Sequence, residues 1–119
     1  MIVGFYSPHL CLRGTTVAMF DYAFYNEKLL HNKSIIFYNS NHHHNNLDSI
    51  NRFKQNFVTI PISDFNHLDH HLASNKCDAV YMIKGGYNDG RVSKVAKTLV
   101  HCIATPGPEH RHGDVCIWV

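Results

Sequence analysis

The chain has 119 residues, 45% of them hydrophobic, a length that supports one packed core and excludes two. Its charged fraction of 17% falls below the roughly 25% of an average soluble domain. Eleven histidines and many asparagines supply polar surface instead, and a net charge of +2 excludes the strong field expected of a nucleic-acid or membrane-surface binder.

Residues 2–7, Ile2-Val3-Gly4-Phe5-Tyr6-Ser7, read as a short apolar strand. No basic leader or cleavage pattern precedes it, which argues against a secretory signal. Asp21 and Glu27 break the longest apolar run before it reaches the roughly 18 residues of a membrane span. Four widely spaced cysteines (Cys11, Cys77, Cys102, Cys116) form no C-x-x-C pair, so reduced thiols and a cytoplasmic compartment are expected.

The loop Ser7-Pro8-His9-Leu10-Cys11-Leu12-Arg13-Gly14-Thr15-Thr16 comes next. A strand running through a Gly- and Arg-bearing turn into a helix start is a common way to build an anion site, because the first helical N–H groups lack partners and the helix dipole is positive there. Arg13, Gly14 and Thr15 are the candidate diphosphate-binding residues, through a guanidinium fork, backbone N–H groups and a hydroxyl. The plainer alternative is that Gly14 shapes a tight turn and Thr15 caps a helix. Neither the dinucleotide fingerprint nor the Walker loop is present, and Cys11 does not head a phosphatase loop, since Arg13 follows only two residues later.

Residues 15–30 read as a helix that is apolar round more than half its circumference (Val17, Met19, Phe20, Phe24, Tyr25, Leu29), as for a helix buried against both a sheet and a neighbour. Strands are expected at 34–38, 57–60, 79–83 and 99–103, with a sixth at 115–119, and helices at 47–55, 64–74 and 91–97. Asp64 is a good N-cap for the third helix. Alternating β and α segments with apolar strands predict an α/β fold: a Rossmann-like three-layer sandwich around a mostly parallel sheet of five or six strands, order 3-2-1-4-5. The loops after strands one and four then meet at the switch point where open α/β sheets bind ligands.

The second of these loops carries Lys84, Gly85, Gly86, Asn88 and Asp89, able to approach a sugar closely and hydrogen-bond to it, although Asn88-Asp89-Gly90 is also ordinary turn chemistry. Arg91, Lys94 and Lys97 would follow at helical spacing as a basic stripe, by the bland reading only a solvated face. The tail 106–114 adds Glu109, His110 and His112, residue types suited to acid–base work or to a mobile connector. His67 and His71 stand at i,i+4 with His70 beside them, a workable metal spacing, but Phe65, Leu68 and Leu72 mark the buried face and the histidines fall away from it. His42-His43-His44 lies in an Asn-rich turn, where adventitious metal binding is the expectation.

The segments Ile2-Val3-Gly4-Phe5-Tyr6-Ser7, Leu12-Arg13-Gly14-Thr15-Thr16-Val17-Ala18 and Asp21-Tyr22-Ala23 resemble the N-terminal half of GT-B glycosyltransferases, above all a glycosyltransferase-like group found in large viruses and microbes. Asn26-Glu27, Asn32-Lys33-Ser34-Ile35-Ile36, Ile83-Lys84-Gly85, Asn88-Asp89-Gly90, Val100-His101-Cys102 and His112-Gly113-Asp114-Val115 extend the likeness over nearly the whole chain. The resemblance implies an acceptor-side Rossmann-like domain, residues 1–119, with the nucleotide-sugar diphosphate at Arg13, Gly14 and Thr15 and the acceptor saccharide at Asn88 and Asp89. It implies no metal or other cofactor, because helix dipoles and basic residues stabilise the departing diphosphate in such enzymes. It also implies a donor-binding second domain outside these residues, supplied in trans or by a homo-oligomer, and hence no efficient sugar transfer by these 119 residues alone. The competing expectations are a non-catalytic domain of the same fold that binds sugar, nucleotide or protein, and a histidine-rich metal-binding protein.

Overall fold

The computed structural model describes residues 1–118. Six strands, β1 (Ile2–Ser7), β2 (Lys33–Asn39), β3 (Val58–Ile62), β4 (Ala79–Lys84), β5 (Lys97–Cys102) and β6 (Val115–Trp118), form one sheet in the order β3-β2-β1-β4-β5-β6. Every neighbouring pair is parallel, so the expected order holds and the sixth strand extends it. The end of that expected strand, Val119, lies outside the described residues.

Three α-helices, α1 (Gly14–Lys28), α2 (Leu47–Asn56) and α3 (Leu68–Ser74), flank the sheet. Side chains alternate across it. Phe5, Ile36 and Tyr38 pack with Met19 and Phe20 of α1 and Phe53 of α2. Tyr6, Ile35, Phe37, Val80 and Met82 pack with Leu68 and Leu72 of α3 on the other side. The run Ser34-Ile35-Ile36-Phe37-Tyr38 is buried throughout because both faces of β2 are covered, which is why it reads as continuously apolar and not alternating. Pro61 fits β3 because that strand is the sheet edge, where a missing N–H costs no ladder bond.

A buried polar knot joins α1 to β2. Asn26 Nδ2 donates to Ser34 Oγ at 2.9 Å, Ser34 Oγ donates to the Ala23 carbonyl, and Ser34 N donates to Glu27 Oε2. On α2, the Asn46 side chain caps the helix by accepting from Ser49 N at 3.0 Å.

Three expectations need correction. Residues 91–97 form no helix: 91–96 are irregular and Lys97 already opens β5. Local side-chain acceptors take the N–H groups a helix needs, with Asp89 Oδ1 accepting from Arg91 N and Ser93 Oγ from Val95 N and Ala96 N. Asp69 of α3 then holds Ser93 Oγ and Lys94 N. The expected helix 64–74 divides into a 3-10 turn, Phe65–His67, capped by Asp64 accepting from Asn66 N, and the shorter α3. Finally, α1 buries a single stripe (Thr16, Met19, Phe20, Ala23, Asn26), while Tyr25 and Leu29 are 51% and 65% exposed and Val17, Tyr22 and Phe24 also reach solvent.

Candidate functional site at the carboxyl rim

Because β1 and β4 are parallel neighbours, the loops after Ser7 and Lys84 open at the same end of the sheet. A small crevice of about 150 Å³ lies between them, lined by Ser7, Pro8 and His9, by Thr15 and Met19 of α1, and by Ile83, Lys84, Gly85 and Ile103. Winding reverses at this point, since β1 leads to β2 on one side and β4 leads to β5 on the other.

Arg13 is the N-cap residue of α1, extended at φ −75° and ψ 157°, and its side chain makes no capping bond. No acid occupies the first turn of α1. Gly14 is exposed, and a Cβ there would meet nothing within 4 Å. Its lack of a side chain therefore serves neither packing nor a special turn. Thr15 is half-buried at the crevice wall, while the neighbouring Thr16 is buried with Oγ1 accepting from Cys11 N at 3.4 Å.

On the β4 side the structure gathers the second loop and the tail around Lys84, whose side chain is 9% exposed. Its ammonium donates to Asp89 Oδ1 at 2.6 Å, to the Arg91 carbonyl and to His112 Nε2 at 2.9 Å, which uses all three protons. His112 Nδ1 lies 2.7 Å from the His110 carbonyl, so with Nε2 accepting, the ring is neutral and protonated at Nδ1. Burial pushes the Asp89 carboxyl up, but the Lys84 ammonium and the Arg91 N–H outweigh it and hold the group below its ordinary value.

Asn88 Oδ1 accepts from Gly90 N at 2.8 Å and Asn88 N donates to His110 Nδ1 at 3.2 Å. Glu109 lies in solvent, 3.5 Å from His110 Nε2. Gly86 is required by the turn, at φ +132° with Ala104 O only 2.9 Å from where a Cβ would sit. Lys94 precedes β5 and Lys97 opens it, at the opposite rim from Lys84, so no basic stripe flanks this loop. Arg91 alone of the three stays near it, with its guanidinium 5.3 Å from the Phe65 ring centroid.

A third group sits beside the first loop. Leu10 N donates to Asn45 Oδ1 and Asn46 N donates to the Leu10 carbonyl, tying the β1–α1 loop to the β2–α2 loop. That stitching sets His9 against His42 and His44, with ring centroids 4.7 and 5.9 Å away, while His43 stacks on His42 at 5.0 Å. Burial, then His42, Arg13, His44 and His43, hold the His9 imidazole below its ordinary pKa. His44 is lowered first by His43, then by burial, Arg13 and His42. The buried Nδ1 of His9 has no hydrogen-bond partner.

Sequence reading treated His42-His43-His44 as an isolated turn and passed over His9. The usable signal was topological: in the order 3-2-1, the loops after strands one and two end side by side. Among the described residues no group of three or more His, Cys, Asp or Glu is arranged to hold a metal ion, and no helix is long and apolar enough to cross a membrane. Comparison with protein-family models, curated proteins and solved structures finds no match.

Proposed function

We propose that the carboxyl rim receives a phosphorylated sugar, and that the chain acts as the acceptor-side half of a nucleotide-sugar-dependent glycosyl transfer enzyme of the GT-B type. The observation that carries this reading is the convergence of the two glycine-bearing loops on one crevice at the β1–β4 switch point. In this reading Arg13 and the N–H groups of Gly14 and Thr15 hold the diphosphate and take up the charge that develops as it leaves. The Lys84–Asp89–His112 knot fixes the shape of the acceptor loop.

A second reading, binding without transfer, draws support from two features. The crevice of about 150 Å³ falls short of the roughly 300–1,000 Å³ of a small-ligand site. All three Lys84 protons are engaged within the chain, which leaves that ammonium no free donor for a leaving group.

Calorimetric titration with UDP-glucose and GDP-mannose tests both. Binding that Arg13→Ala weakens about 10- to 100-fold, as loss of a charge-assisted fork predicts, supports the donor site. Silence toward both sugars at millimolar concentration sinks it. Oligosaccharide binding in their place favours the second reading.

A further inference from the structure

We propose that His9, His42 and His44, together with Arg13, form an anion subsite of the phosphate class that takes up protons from solvent as it binds. The inference rests on the reading above only for the location of the anion, beside Arg13, and adds residues and a pH dependence which that reading lacks.

Geometry carries it. Four imidazoles from two loops lie with successive centroids 4.0 to 5.9 Å apart, and the Asn45 and Asn46 bonds to Leu10 hold the two loops in register. His42 and His43 are stacked within 8° of parallel, an arrangement suited to uncharged rings. His42 Nδ1 accepts from His44 N at 3.1 Å, so that nitrogen carries no proton and Nε2 is its free N–H. The His9 ring has one buried nitrogen, Nδ1, without a partner, which a turn of the ring would bring to one.

The charge inventory gives the sign. The groups acting on His9 are Arg13, His42, His43 and His44, and those acting on His44 are Arg13, His42 and His43. Each is cationic or becomes cationic on protonation, and no carboxylate is among them. These neighbours disfavour imidazolium at His9 and His44, and a phosphate oxygen between the rings reverses the balance, offsetting the repulsion from Arg13 and favouring the protonated form. Affinity then rises as pH falls, by up to about tenfold per pH unit for each proton taken up.

The probe is inorganic pyrophosphate, titrated calorimetrically at pH 6.0 and 8.0 in EDTA, in two buffers of different ionisation heat. Expected are binding roughly tenfold or more tighter at pH 6.0 and net proton uptake, with histidine NMR resonances of the unmutated chain moving toward imidazolium on saturation. His44→Gln, at an exposed position, should flatten the pH dependence and reduce the net proton uptake. Binding that depends on Arg13 but is equally tight at both pH values, with no proton uptake, overturns the proposal and leaves the donor site standing. Pyrophosphate binding with proton uptake but silence toward UDP-glucose and GDP-mannose supports the subsite and removes the donor reading. No pyrophosphate binding at pH 6.0 overturns it outright.

Discussion

Lys84 has three ammonium protons and three acceptors within the chain, so its charge organises the loop around it. Replacing Asp89 with Asn leaves that nearly buried charge with a weaker partner. Because Asp89 is 35% exposed, solvent screens part of the loss, and about 1–2 kcal/mol is expected at pH 7, read as a lower urea midpoint with an unchanged slope. Asp89 titrates below its ordinary value when folded, so its contribution is full above the normal carboxylate range. It is lost as pH falls through the folded pKa. The gap between the original chain and Asp89→Asn should therefore close below about pH 4. His112 acts through the same knot: its Nε2 accepts a hydrogen bond from Lys84 and its Nδ1 donates to the His110 carbonyl, a positioning role that spacing in the tail did not reveal.

At the scale of elements, two glycines in the two rim loops behave oppositely. Gly86 sits at φ +132° against Ala104 O, so Gly86→Ala should cost about 1–3 kcal/mol by thermal or urea unfolding. Gly14 opens α1 with nothing near its missing Cβ, so Gly14→Ala should leave stability unchanged or raise it by up to about 1 kcal/mol. Weaker pyrophosphate binding in that same variant, with stability intact, would mark the position as a ligand contact. The fourth expected helix fails for a reason of the same scale. Asp89 and Ser93 satisfy the backbone of residues 91–96 locally, and Asp69 on α3 reaches across to hold the result.

Across the whole molecule, the sheet separates two buried clusters, one on each side. Ile62 packs with α3 and Ile36 with α1 and α2. Ile62→Val and Ile36→Val should each cost about 0.5–1.5 kcal/mol. The double variant should lose their sum within about 0.5 kcal/mol, measured by urea denaturation. A clear excess would show that the layers communicate through the strands. The sheet also explains why the rim is one site: parallel strands send both the Arg13 loop and the Lys84 loop to the same end, while Lys94 and Lys97 go to the other.

Much of this architecture was legible in the chain because hydrophobic period is a local property. Apolar runs of strand length alternating with helical patterns pointed to a parallel sheet, and right-handed crossovers left a few topologies, of which the order 3-2-1-4-5 was preferred. The two rim loops were legible for the same reason, as punctuation between those elements. What the sequence could not carry was any pairing between residues distant along it. The Lys84–His112 bond spans 28 positions, the Leu10–Asn45 bond spans 35, and both depend on which strands become neighbours. The exposure of Tyr25 and Leu29 on a helix that reads as buried was likewise decided in three dimensions, by which faces of the sheet receive a covering layer.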